Sequence, residues 1–545
     1  MRSAFLISLA LIVGSNAIAQ DTTKRGVSVT STFKPQLKEA AKINFNATPP
    51  TADTTRPRLQ YSIPNQNLLF AYQPGSLRPL ALDIDTGGHW DNWNYAKVGY
   101  GNFNTPYFET GLSLGDGKNA GLNIYGNHIS QKGKLDFQQY SKTAVQMNAF
   151  ARAGSNLEFN GKFGVNEGRY NKYGFEPKGL TYDDDSIKVK LQNVAIGLGF
   201  RNIDRSEFGL SYAPSFLLNL FSDRVNNKES NAYFNLPLRK TIGGKFEADI
   251  ALEGAVTRYS PKKGDALKSN WFSLSPSVLI KTETVNIHAG IKPTWDNSEF
   301  KLLPNIMVEA SSADKGFTIH GGWIGYMRSN TYKSLTDYNP WIWAPGFANN
   351  SRIQEIYGGI KGALTDHFTY SVRAGINKIT NQPLFMNDTS FNSDGKSFAV
   401  LVEPDLNAFN VTGEMGYTSG EKFTLRSILK LNRYTGLDVH DKPWGLLPLE
   451  FSTFLKLQLM KDLFVKADLH AFSGAWYNSA SDGRGKSKGA LDLSAGLEFA
   501  IVKNIKVWTQ FNNITNTAYE RWKQYPVLGF GFMGGVIFSF AKTAQ

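Results

Sequence analysis

Leu463, Val465, Ala467, Leu469 and Ala471 fall on one side of a pleated segment and Lys466, Asp468 and His470 on the other. That period of two belongs to a half-buried strand and not to a helix. Some twenty short segments repeat it from about Tyr95 to the end of the chain. Phe246, Ala248, Ile250 and Leu252 alternate with Glu247, Asp249 and Glu253, and Leu455, Leu457 and Leu459 alternate with Lys456 and Gln458. Phe530, Phe532, Val536, Phe538 and Phe540 make an aromatic row along the last segment.

The N-terminus says where these segments go. Met1 to Ala19 holds one basic residue, Arg2, an apolar run from Ala4 to Val13, and the small-residue pattern Ala17-Ile18-Ala19 before Gln20, which predicts an export signal cleaved after Ala19. No later window holds the eighteen or so apolar residues of a membrane helix. Lipid offers backbone amides no hydrogen-bond partner, so a closed barrel is the spanning form left. The expected fold is all-β: a transmembrane antiparallel barrel of about twenty-two strands with a short proline-rich N-terminal arm. The chain divides into signal (1–19), arm (20–88), barrel (89–540) and tail (541–545). Outer-membrane lipid and the barrel-insertion machinery are its expected partners.

Connections fall into two lengths. Short ones near 115–119, 154–156, 242–244, 281–283, 312–314, 365–366, 419–421, 461–462 and 503–504 are assigned to the periplasmic side, where barrels turn tightly. Long ones at 131–141, 171–187, 219–230, 259–268, 329–351, 382–405, 435–447 and 477–488 are assigned outside the cell. A naive count gives twenty-three strands. Treating Lys396 to Glu403 as external loop, cut off by Pro404, restores alternation and leaves twenty-two.

Composition narrows the rest. The 51 glycines, 13% aromatic residues and negative mean hydropathy suit strands, turns and interfacial girdles. The formal charge of +13, or +12 once Arg2 leaves, is spread rather than clustered, which fits lumen lining and headgroup contact and gives no nucleic-acid stripe. With no cysteine there is no lipoprotein anchor and no thiolate metal site. The arm carries seven prolines between Pro35 and Pro79, too many for sheet, with one short helix expected over 34–45.

The end of the chain carries a resemblance. Asn512-Asn513-Ile514-Thr515-Asn516, Tyr519-Glu520, Trp522, Tyr525-Pro526, Gly529 and Phe540 resemble the close of TonB-dependent receptors. Tyr95 to Phe103 after a proline-rich arm also looks like receptor-like barrels that carry no plug. The resemblance implies a twenty-two-strand barrel, solute uptake and energy coupling through TonB, with Gly26 to Thr30 similar to the TonB-contacting stretch. Two departures stand against it. The arm is too short and proline-rich for a plug of over a hundred residues, and Ala541 to Gln545 follow an aromatic that usually ends such barrels.

Candidate chemistry sits in the loops. Tyr332, Tyr338, Trp341, Trp343 and Phe347 in the loop at 329–351, with Trp444 in the loop at 435–447, offer faces for stacking on sugars and flat organic ligands. The competing reading has these rings packing on one another or in the headgroup girdle. Asp183-Asp184-Asp185 lacks the spacing of a calcium loop and reads as a solvated acidic turn. The seven histidines, His89, His128, His288, His320, His367, His440 and His470, are scattered, and none is assigned a metal. No nucleophile elbow or acidic pair stands out, so no catalytic residue and no cofactor are assigned. The leading expectation is an outer-membrane receptor or transport barrel of a Gram-negative bacterium. The alternative is a non-transporting scaffold that binds partner proteins in an envelope assembly.

Overall fold

The computed structural model describes residues 93–541 apart from 176–180, 314–315, 390–393 and 421. The signal, the arm, the Gly26 to Thr30 stretch and almost all of the tail lie outside the described residues.

The described residues form one antiparallel ring. Successive strands pair in order from Trp93–Gly101 to Gly531–Ala541, and these two strands pair with each other, Val98 opposite Val536. The segments Leu210–Tyr212 and Ser215–Asp223 are one strand interrupted at Ala213-Pro214, since both pair with Lys228–Thr241. The ring therefore has twenty-two strands, and closure leaves no unpaired edge.

The two faces are those the alternation predicts. Ile306, Trp323, Ile356, Ile376 and Phe409 stand opposite one another on five neighbouring strands, each 40–61% exposed, forming a continuous apolar row outside. Such a belt is tolerable only against hydrocarbon. The inner face is charged and paired. Glu247 meets Arg205, Arg239 and Lys281 at 3.2, 3.4 and 2.7 Å, and Lys466 meets Glu498 at 2.7 Å.

Trp508 seals the closure from inside. Its indole N–H donates to the Val98 carbonyl at 3.1 Å. The ring fits only because the wall has glycine there: a Cβ on Gly99 would collide with the Trp508 ring, and one on Gly535 with the Val98 carbonyl oxygen.

All nine expected short turns coincide with the connections at one end. The other end corrects three readings. Segment 219–230 is a tight turn over 224–227, because the Asp223 carboxylate accepts the Val225 and Asn227 amides, both at 2.9 Å, while Asn226 takes a φ of 70°. Two external connections carried no loop signal: the three-residue turn Asn102 to Asn104, with Phe103 and Asn104 at φ 59° and 54°, and the two-residue turn Asn297-Ser298, at φ 47° and 77°. Finally, Pro404 does not end a strand. Phe398–Ser419 runs through it, paired with Phe368–Asn387 from Asn387 opposite Phe398 to Phe368 opposite Tyr417. Pro404 falls where no ladder bond is made, opposite Asn381 at a φ of 58°. These strands of 22 and 20 residues outrun any bilayer and stand above it as a hairpin. The count of twenty-two holds, but the extra strand is absorbed by extension rather than by a loop.

Candidate functional site: a lumenal cavity under a lid of loops

At the long-loop end the connections fold inward. One buried cluster joins Tyr140, Tyr170, Phe221 and Tyr259 of the wall to loop residues Tyr173, Trp341, Ile342, Leu447, Trp522, Tyr525, Val527 and Leu528. Trp341 stacks on Tyr525 with ring centroids 4.0 Å apart, and Tyr173 meets Tyr525 edge-on at 5.0 Å.

Side-chain hydrogen bonds explain why these loops hold their shape. Asn513, fully buried with a φ of 45°, donates to the Thr517 and Leu528 carbonyls at 3.0 and 2.9 Å and accepts the Thr517 amide at 3.0 Å. Asn516 accepts the Phe530 amide at 2.8 Å, and the Tyr519 hydroxyl donates to Asp492 at 2.6 Å. The asparagine-rich stretch thus folds the last loop onto the barrel. Arg521 donates to the Tyr338 hydroxyl at 2.8 Å and to the Gly445 carbonyl at 3.0 Å, tying three loops together. Glu403 accepts the amides of Asp438, Val439 and His440 at 2.8, 3.0 and 2.9 Å and so holds down the loop of Gly445 at a second point.

Contacts from Lys172 and Tyr182 to the 394–397 segment cross the mouth. Lys172 follows the fifth strand of the ring and Asp394 precedes the sixteenth, half a circumference away, yet their charged groups lie 3.6 Å apart. Asp394 also accepts the Ser397 hydroxyl at 2.7 Å and lies 3.2 Å from the Lys396 ammonium. Burial pushes the Asp394 carboxyl up, but the neighbouring Lys172 charge and the bonds from Ser397 and Lys396 outweigh it and hold the group below its ordinary value. Burial pulls the Lys172 ammonium down from its ordinary range.

Below the lid lies a cavity of about 400 Å³. Its wall is the inner face of six consecutive strands between Phe317 and Met460, and its roof is the short helix Tyr332–Tyr338 with Leu446 and Leu447. Thr331 caps that helix by accepting the Ser334 amide at 3.0 Å, and Glu229 accepts the Tyr332 and Lys333 amides.

The aromatic candidates separate. Tyr332, Trp341 and Trp444 are 5%, 1% and 3% exposed, packed on protein within the lid, and Tyr338 lines the cavity roof. Trp343 remains 41% exposed, with its indole N–H on Asp388 at 2.8 Å, and Phe347 is half-buried beyond it. Asp185 is taken up by Arg224 and Lys188 at 2.8 and 3.3 Å. Sequence reasoning missed the cavity itself, whose polar groups come from six consecutive strands and whose roof depends on how the loops fold inward; only the inward parity of those groups signalled them.

Comparison with known proteins finds no matching family model and no matching curated sequence. Solved structures do match in fold. The FrpB iron transporter from Neisseria meningitidis has a TM-score of 0.62 at 10% identity, covering 83% of each chain. The ferric-catecholate import receptor Fiu from E. coli gives 0.61 at 9% identity, covering 83% of this chain and 82% of that one. The ferric enterobactin receptor from Pseudomonas aeruginosa gives 0.58 at 10% identity, covering 82% and 80%.

Proposed function

We propose that this chain is an outer-membrane receptor or transport barrel, built like the TonB-dependent receptors its C-terminal motif resembles, with its outer mouth shut by its own loops. The observation that carries this reading is a solute-sized cavity inside a closed ring, roofed by loops bonded to one another and not by strands. A cavity walled by rigid strands and covered by loops is the arrangement of a gated binding site. The fold neighbours supply the class: they are named for iron and siderophore uptake.

In this reading Trp343 and Phe347 make first contact with solute outside, Tyr338 meets it in the cavity, and Tyr332, Trp341 and Trp444 are the packing of the lid. Coupling to TonB through Gly26 to Thr30 belongs to the same proposal. Its test is uptake-dependent growth or labelled-solute accumulation with and without that stretch; equal uptake by both removes TonB coupling. The scaffold alternative rests on the ring of Trp343 at the summit, which a protein partner would cover. Affinity purification from detergent extracts tests it, and recovery of the chain alone counts against it.

A further inference from the structure

The cavity lining shows what kind of solute it fits. Three acidic groups, Glu355, Glu414 and Glu450, face three basic ones, Arg328, Arg373 and Lys430. Two of the bases are committed: Arg373 to Glu355 at 2.7 Å, its guanidinium 3.5 Å from the Tyr357 ring centroid, and Arg328 to Gln382 at 2.7 Å. Glu414, Glu450 and Lys430 have no ion-pair partner within 4.0 Å among the described residues. Asn410 stands opposite Asn432 on the neighbouring strand, and its buried Oδ1 lacks a hydrogen-bond partner. Asn377 lies on the strand on its other side.

This set is electrically balanced and dense in groups that both donate and accept. A net-anionic chelate would be drawn by a surplus of positive charge, which the lining lacks. A bare metal ion needs clustered ligands, and no group of three or more His, Asp or Glu side chains able to hold one occurs among the described residues. Hydroxyl groups each donate once and accept twice, so they satisfy amides, carboxylates and an ammonium together. Leu335, Leu446 and Tyr338 give the roof an apolar side for the faces of sugar rings.

Resting on the receptor reading, we infer that the cavity takes a neutral polyhydroxylated ligand, a sugar or short oligosaccharide, held by Asn410, Asn432, Glu414, Lys430 and Glu450. The volume lies within the range of small-molecule sites, roughly 300–1,000 Å³.

The test is calorimetric titration of the full chain in detergent, as wild type and as Asp394→Ala to loosen the lid. The probes are maltotriose, cellotriose and chitotriose, beside a ferric catecholate chelate and trialanine. At least one trisaccharide is expected to bind. The double change Asn410→Leu with Asn432→Leu should weaken it tenfold or more, while Asn410→Asp keeps most of the affinity. Heat-shifted electrophoretic migration confirms that each variant is folded. Absence of trisaccharide binding to both proteins overturns the inference. If the chelate or trialanine binds instead, the ligand class falls and the receptor reading stands. If no probe binds at all, the ligand class falls and the receptor reading is decided by conductance.

Discussion

Trp341 and Tyr525 lie face to face, 4.0 Å between centroids and 22° between planes, and join two loops that leave the barrel at separate points of its rim. Neither ring reaches bulk solvent: they are 1% and 2% exposed. The stack is the centre of the lid, so its removal should loosen the mouth without touching the barrel.

Trp341→Ala deletes a fully buried indole, and large-to-small changes of this kind cost about 3–5 kcal/mol. That cost falls on lid packing. Proteoliposomes carrying the variant should be cut by external protease in the loops 331–348 and 513–530 several-fold faster than wild type, with the barrel band intact. Equal cutting rates contradict a packed lid.

The Lys172–Asp394 contact gives the lid a pH dependence. The Asp394 carboxyl is held below the ordinary carboxylate range, so its contribution is present at and above that range and is lost as pH falls below it. Channel opening should be flat between neutral pH and about pH 5 and rise only in stronger acid. Asp394→Asn should open the lid already at neutral pH, by removing the charge opposite Lys172. An opening transition near neutral pH in wild type contradicts this.

At the seam, Gly535→Ala places a methyl group against the Val98 carbonyl, backbone that cannot swing aside as a side chain does. The first and last strands must separate to admit it. Folded yield, read from heat-shifted migration, should fall sharply. A change at the external turn, Gly346→Ala, which meets nothing within 4 Å, should leave yield unchanged.

On the outside, Ile376→Arg puts charge into the apolar row and should cost up to about 2–4 kcal/mol of barrel stability, depending on depth. Its neighbour Asn377 faces the lumen, so Asn377→Leu should cost far less. Urea unfolding in lipid vesicles measures both. Equal losses contradict the assignment of faces.

The fold was legible because parity is a local signal. Lys466, Asp468 and His470 announce their side by spacing alone, and tight turns such as Lys461-Asp462 announce the periplasmic end. Pro404 misled because a proline reads as a stop, whereas a strand standing clear of lipid accommodates it where no ladder bond is made. Arg224 to Asn227 misled because the Asp223 side chain, not glycine or proline, makes that turn. The cavity was illegible for a different reason. Glu355, Asn410 and Glu450 lie on strands two apart from one to the next, and which inward positions share one level of the wall is set by the register of pairing and by the inward fold of the loops, neither of which spacing alone reports. The same holds for Trp341 and Tyr525, whose partnership depends on how two loops bend.

Planar-bilayer recording of wild type beside a Trp341→Ala, Asp394→Asn double variant tests the gated passage most directly. The wild type should be nearly silent and the variant should show large, stable conductance steps. Large conductance from both, or silence from both, contradicts a passage shut by its loops.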